Sequence, residues 1–322
     1  MQTRYPAAVL LGCAMLTAPL RSAEVPPLPP SHGVKPELFA TGFEFAEGPA
    51  FDAHGNLFVV NYRGNGNIGR ITPDGTAAVW CNLNEGAPVQ GKRSQANGLK
   101  VDREGRLIAA DAGVGRLLRI SEEGKRIEVL ADRFEDKPFE SLNDVALDRK
   151  GNIYFTDPGN SSAEDPHGSV YRYDIATAKV TRLATGMAYP NGVGVTPDQK
   201  SLCVSESARY RLSIMDLTED GAANQRVLIE FPKQDDGNIR GGEFMPDGFV
   251  FDAQGRLYVG MWTGGVINVV EVPSGKLVRQ YDAGGSQSTN CHFFGTHLYV
   301  TVAAKEAVFR LPLGVEGFNY NF

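Results

Sequence analysis

A chain of 322 residues with 42% hydrophobic and 9% aromatic residues can bury a sizeable core, which excludes a disordered protein. A net charge of −6 without a long basic run excludes nucleic acid as an expected partner. The 37 glycines and 19 prolines are spread along the chain, as many turns require, rather than gathered in one linker.

The first element is a leader. Met1 to Pro6 carries Arg4, Ala7 to Leu20 is mostly small and apolar, and Ser22-Ala23 offers a cleavage point. That layout predicts a signal peptide over residues 1–23 and a secreted or periplasmic mature chain. The apolar stretch is shorter than the roughly 20 residues a membrane-spanning helix needs, so no transmembrane segment is expected after cleavage. Leu10-Leu11-Gly12-Cys13 loosely resembles a lipoprotein box, which makes anchoring at Cys13 the lesser alternative. A Pro-rich tether, residues 24–35, follows, and residues 36–322 read as one domain.

A repeat then runs to the end of the chain. Its units open at Glu47 (EGPAFDAHGNLFVVN), Asn97 (NGLKVDREGRLIAAD), Asn143 (NDVALDRKGNIYFTD), Asn191 (NGVGVTPDQKSLCVS), Asp247 (DGFVFDAQGRLYVGM) and Asn290 (NCHFFGTHLYVTV). The starts are 50, 46, 48, 56 and 43 residues apart. Each unit has a polar residue, an alternating strand, a tight turn (of D-x-x-G type in four of the six, and shorter in the last) and a second strand rich in Val, Ile, Leu and Tyr. Third and fourth strands follow, as in Arg116–Ile120 and Arg126–Ala131. Four strands recurring six times predict an all-β fold, a six-bladed β-propeller with four-stranded antiparallel blades. Glu37 to Gly42 resembles Arg182 to Gly186, the outer strand before the fourth unit, whereas the last unit ends near Leu313 without one. The N-terminal strand is therefore expected to join the last blade and close the ring, leaving no open sheet edge at the seam. Cys81, Cys203 and Cys291 remain after the leader. One disulfide among them is open, but three buried small side chains is the favoured reading.

The innermost strand of each blade lines a central channel, so equivalent residues form a ring around one axis. Here the ring reads Glu47, Asn97, Asn143, Asn191, Asp247 and Asn290, with no aliphatic residue among them. Asn-Gly and Asp-Gly also mark tight turns, but these stand before strands rather than between them. Converging carboxylates repel and buried amides need partners, and a hard divalent cation resolves both problems. The all-oxygen donor set suits Ca²⁺, with Mg²⁺, Mn²⁺ or Zn²⁺ as replacements according to availability.

These motifs resemble the family of senescence marker protein, gluconolactonase and luciferin-regenerating enzyme, over about residues 37 to 314. The carriers are EGPAF at Glu47, ANGLKVD at Asn97, LNDVALD at Asn143, PNGVGVTPD at Asn191, PDGFVFD at Asp247 and TNCHFFGTHLYVT from Thr289. The resemblance implies a Ca²⁺-dependent hydrolase site in which Glu47, Asn191 and Asp247 bind the ion. Asn143 would bind it or hold a water on it, and Asn97 would line the substrate pocket. Some members carry an arginine two residues before the asparagine of the third motif, where this chain has Ser141. Arg93 and Arg240 lead into inner strands and are candidates to replace that grip.

The expected function is a metal-dependent hydrolase that opens a sugar-acid or related small lactone, the ion polarising the carbonyl and activating water. Asp247 is the leading catalytic base. His292 is the second candidate, because residues two apart on a strand share a face and Asn290 is in the ring. Asn97, Asn143, Asn290, His292 and Arg240 make up the candidate substrate-binding set. The alternatives are a phosphotriester, fluorophosphate or aryl ester hydrolase on the same ion, and a non-catalytic binding propeller with a structural ion. No G-x-S-x-G, P-loop or G-x-G-x-x-G before a helix is present.

Overall fold

Leu57–Val60, the second strand of the first repeat, is buried at every position. Side chains alternate along a strand, so a strand apolar throughout must be covered on both faces. Leu57 and Val59 pack with Tyr299 and Val308 of the last repeat, and Phe58 and Val60 pack with Leu99, Ala109 and Leu118 of the second. The same division holds in every repeat. Among the described residues the buried hydrophobic side chains form six clusters, one between each pair of neighbouring blades. The last cluster joins the sixth repeat to the first, so the sheets form a closed ring.

The computed structural model describes Met1 and residues 27–64, 66–233 and 243–320. Apart from Met1, the expected leader, residues 1–23, lies outside the described residues, as does Arg240. The chain is a six-bladed propeller of four-stranded antiparallel sheets. Blade 1 contains Ala50–Phe51, Leu57–Val60, Asn67–Ile71 and Ala77–Asn82. Blade 2 contains Ala96–Val101, Leu107–Asp111, Arg116–Ile120 and Ile127–Ala131. Blade 3 contains Val145–Leu147, Ile153–Asp157, Gly168–Asp174 and Lys179–Met187. Blade 4 contains Pro190–Val195, Ser201–Glu206, Arg211–Leu217 and Ala222–Glu230. Blade 5 contains Pro246–Phe251, Arg256–Met261, Val266–Glu271 and Lys276–Asp282. Blade 6 contains Ser288–Phe294, His297–Val302 and Ala307–Pro312, and Glu37–Thr41 pairs antiparallel with the last of these. The ring is thus closed by the N-terminal strand.

The D-x-x-G turns join the first two strands on one face of the ring, the distal face. Asp102 Oδ1 accepts the amides of Glu104 and Arg106 at 3.0 and 2.9 Å, and Gly105 takes φ 75°. Asp52, Asp148 and Asp252 do the same for their own turns. An aspartate that satisfies two amides and a glycine at positive φ are what such a tight turn needs. The last residues cross this face, with Ala253 N donating to Glu316 O and Phe318 N to Phe251 O. Part of the segment expected as a tether docks on blades 5 and 6. Val34 is buried there, and Tyr281 Oη donates to Pro29 O at 3.0 Å. Cys81, Cys203 and Cys291 are buried free thiols. Among the described residues no helix is long and apolar enough to cross a membrane.

Candidate functional site

The strand registers show which residues are equivalent in the six blades. On entering its inner strand each of blades 2, 4, 5 and 6 carries a bulge. The first regular pairs after it are Leu99–Ala109, Val193–Val204, Phe249–Val259 and Cys291–Val300. Two residues earlier stand Asn97, Asn191, Asp247 and Thr289. Val145–Phe155 and Ala50–Phe58 place Asn143 and Glu47 at the same level. Five of the six ring positions are those read from the sequence. The sixth is Thr289, and Asn290 lies one residue further along. The cause is the turn of blade 6, where Phe294 pairs with His297 and only two residues intervene.

A bulge brings two successive residues to one side of a strand. The second residue of each pair is Gly48, Gly98, Gly192 or Gly248 in four blades, Asp144 in blade 3 and Asn290 in blade 6. The two larger side chains reach across the channel to each other, Asn290 Nδ2 donating to Asp144 Oδ1 at 3.4 Å. Val193 N donates to Asp144 Oδ2 at 3.3 Å. This bar explains two of the glycines. A Cβ on Gly98 would strike the Asp144 carboxylate, and one on Gly248 would strike the Asn290 carboxamide. Neither takes positive φ, so they serve close approach rather than a turn.

The ring residues are held from outside. Their own blade's second strand pins the chain just before them. Asn61 Nδ2 donates to Phe45 O at 2.8 Å, Gln95 N to Asp111 Oδ1 at 3.0 Å and Ser141 N to Asp157 Oδ1 at 2.9 Å. Ala188 N donates to Glu206 Oε2 at 3.2 Å. Asp111 and Glu206 are themselves paired with Arg116 and Arg211. Neighbouring blades hold the ring carbonyls: Gly98 N on Asn143 O, Thr156 Oγ1 on Asn191 O and Ser205 Oγ on Asp247 O, at 2.7, 2.8 and 2.7 Å. Ser205→Ala removes a buried donor from one of them, and urea unfolding should show a loss of about 1–2 kcal/mol. Wild-type stability would mean that this clamp contributes nothing.

The electrostatics of the ring are unbalanced. Burial, and then the charge of Asp144, pushes the Glu47 carboxyl up to about 8, although the Gly48 amide donates to it. Burial together with Glu47 and Asp144 raises Asp247 well above the usual carboxylate range. Asp144 is also raised by burial, against the opposing charge of Lys100. Asn97 Oδ1 and Asn191 Oδ1 are buried acceptors without a hydrogen-bond donor. Three buried carboxylates beside two unpaired carboxamide oxygens make a site rich in acceptors, and such groups are costly to bury without a cation or protons. Among the described residues no three His, Cys, Asp or Glu side chains converge as a metal cluster, so a cation here would draw on carboxamides as well. The residues present fit a hard cation of the Ca²⁺ type, which accepts mixed carboxylate and carboxamide oxygens.

Three residues at the site were not singled out in the sequence. Thr289 lies within hydrogen-bonding reach of Glu47 and donates to Ala46 O at 2.9 Å. Asp144 is the bar's acceptor. Tyr189, two residues before Asn191, has its hydroxyl pKa raised by burial and by the charges of Asp247 and Glu47. His292 lies on the other side of the bar. It and Lys100 line a cavity of about 410 Å³ on the distal face, with Phe51, Phe294, Phe318 and Tyr320. Its Nδ1 bonds Phe293 O at 2.8 Å, and burial, with Lys100 nearby, pulls the ring down to about 3, so it is a neutral imidazole. Arg93 is exposed, and Ser141 is half-buried.

Comparisons with known proteins agree with this architecture. The family described as SMP-30/Gluconolactonase/LRE-like region matches residues 45–304. A gluconolactonase of Zymomonas mobilis is 25% identical over 292 residues, 85% of this chain and 80% of that one. A lactonase drp35 of Staphylococcus aureus is 28% identical over 240 residues, 72% of this chain and 69% of its own. The crystal structure of regucalcin from Agrobacterium tumefaciens, described as a calcium-binding protein, superposes with a TM-score of 0.67. It is 20% identical, and the match covers 87% of this chain and 97% of that one.

Proposed function

Since the chain belongs to the SMP-30/gluconolactonase/LRE-like family, we propose that it is a hydrolase that opens the ring of a small lactone at the mouth of its channel. The reading includes one divalent cation, Ca²⁺ by the donor set, held by Glu47, Asn143, Asn191 and Asp247. The observation that carries it is the acceptor excess at the ring. Glu47 and Asp247 are both buried and both raised, Glu47 by burial and the charge of Asp144, Asp247 by burial and the charges of Glu47 and Asp144, beside the unpaired oxygens of Asn97 and Asn191. The names of the relatives, a gluconolactonase and a lactonase, support the substrate class. The calcium-binding description of the regucalcin supports the ion.

When bound, the ion supplies Lewis acidity toward the lactone carbonyl and toward water. The chain's own residues do the rest. Asn97 and Asn143 offer carboxamide donors to the lactone oxygens. Asp247, its carbonyl clamped by Ser205, takes the proton from the attacking water. The bar of Asp144 and Asn290 closes the channel below, so substrate enters and product leaves by the mouth. The reading also includes export, with residues 1–23 as the leader.

A pH-indicator assay on protein lacking residues 1–23 tests the proposal, using aldonolactones, aliphatic lactones, aryl esters and a phosphotriester. Lactone turnover should fall by about 100-fold or more in chelator and return with Ca²⁺, the range expected when a principal electrostatic contribution is removed. No turnover of any compound, with Ca²⁺ still raising thermal stability, would replace the hydrolase with a propeller carrying a structural ion.

A further inference from the structure

The residue two places before each ring position forms a second circle, above the ring on the mouth side. By the same registers it consists of Phe45, Gln95, Ser141, Tyr189, Met245 and Gln287. Glu47, Asn143, Asn191, Asp247 and Thr289 below are buried, whereas all six collar residues keep part of their surface exposed, Phe45 as much as 38%. They are therefore what a ligand meets before it reaches the ring. None of the six carries a charge.

The collar has two sides. Blades 2 and 3 present Gln95 and Ser141, blades 4, 5 and 1 present Tyr189, Met245 and Phe45, and Gln287 of blade 6 stands between Met245 and Phe45. Trp262, at the end of the second strand of blade 5, extends the apolar arc to blade 1. Its ring lies 5.7 Å from that of Phe45, at 36°. The arc is fixed by the backbone. Trp262 N donates to Met245 O at 2.8 Å, Gln287 N donates to Trp262 O at 2.6 Å, and Asn61 holds Phe45 O. Tyr189 is held in the left-handed region at φ 54°, with its amide on Ser161 Oγ at 3.0 Å. An apolar wall whose backbone is held before binding needs little reordering on contact, so it favours an apolar ligand face.

We propose that the substrate is an uncharged lactone bearing an apolar substituent, which lies on the Phe45–Trp262–Met245–Tyr189 arc while the polar edge of the ring faces Gln95 and Ser141. Among the described residues of the collar, phosphorylated or carboxylated lactones find no cation to pair with. Polyhydroxylated lactones would have to bury hydroxyls against aromatic faces. This deepens the lactonase reading and rests on it for the word substrate, but the selectivity of the mouth is testable by itself.

The probes are two lactams, which mimic the lactone ring and resist hydrolysis: 6-phenylpiperidin-2-one and glucono-δ-lactam. Calorimetric titration of the full mature protein in Ca²⁺ should show the phenyl lactam binding at least tenfold more tightly. Phe45→Ala and Trp262→Ala should each reduce that ratio below threefold by weakening the phenyl lactam, and Trp262→Phe should retain most of it. Because Phe45 is partly exposed, its truncation leaves the blade core intact. Equal or tighter binding of the glucono-lactam, no binding of either lactam, or an unchanged ratio in both alanine variants would overturn the proposal. Turnover measured in parallel separates the two claims. Phenyl-lactam selectivity without turnover of any lactone overturns the hydrolase and keeps the collar. Turnover that prefers polyol lactones keeps the hydrolase and overturns the collar.

Discussion

Asp247→Ala is expected to lower lactone turnover by a factor on the order of 10³, the range seen when a principal electrostatic contribution to an active site is lost. In the proposed reading it removes a cation ligand and the proton acceptor together. The stability of the same variant should move in opposite directions with and without the ion. Asp247 is buried against Glu47 and Asp144, whose charges disfavour its own. Without a cation, its loss relieves repulsion, so the variant should melt at or above the wild-type temperature in chelator. With Ca²⁺, the wild type gains binding energy that the variant cannot, since a ligand specific to the folded state stabilises in proportion to the logarithm of its saturation. A variant that melts low under both conditions would mark Asp247 as a packing residue. Near-wild-type turnover would remove it from the site.

The stabilisation given by Ca²⁺ should grow with pH. In the folded chain the Glu47 carboxyl is pushed from 4.5 to about 8, first by burial. A folded-state value above the unfolded one means that this group's contribution is fully present below about 4.5 and is lost as pH rises towards 8. Asp247 and Asp144 are shifted in the same direction. Each titrating group can withdraw up to about 1.4 kcal/mol per pH unit across its window. A cation favours the charged carboxylates and restores what is withdrawn. Melting temperatures with chelator and with saturating Ca²⁺, measured at pH 5 and pH 8, should differ by several degrees more at pH 8. Comparing the two curves at each pH cancels the titration of groups far from the ring. An increment that is equal at both pH values, or larger at pH 5, would contradict the electrostatic account.

Much of this molecule is legible in its sequence because each repeat states the same physical requirements. The aspartate and glycine of the distal turns are there to satisfy amides and to take positive φ. The second strands are buried almost throughout because both faces are covered. Those two signals locate the blades, and the polar residue ahead of each locates the ring. The reading slips where the turn changes length. In blade 6 the two-residue turn shifts the count by one, so the repeat points to Asn290 where the strand register has Thr289. Asn290 is in the channel, but as half of the bar below the ring.

Other features depend on what lies across the axis. Asp144 occupies a place where four other blades have glycine, and only the ring geometry shows that it meets Asn290 of the opposite blade. His292, expected on the channel wall beside Asn290, packs against Phe51 of blade 1, ring centroids 5.8 Å apart. The bar separates His292 from the ring, and it lines the distal cavity with Lys100. Tyr189 and Phe45 precede the ring by two residues in blades with unrelated entry sequences, so no repeat signal announces a collar. Arg240 lies outside the described residues.

The central claim, one divalent cation on the channel axis, is tested most directly by anomalous scattering from a crystal of the mature protein equilibrated with Mn²⁺. The account predicts a single strong peak per chain, enclosed by Glu47, Asn143, Asn191 and Asp247 on the mouth side of the Asp144–Asn290 bar, and no peak there in Asp247→Ala crystals. No peak on the axis, or one at the distal cavity beside Lys100 and His292, would contradict it.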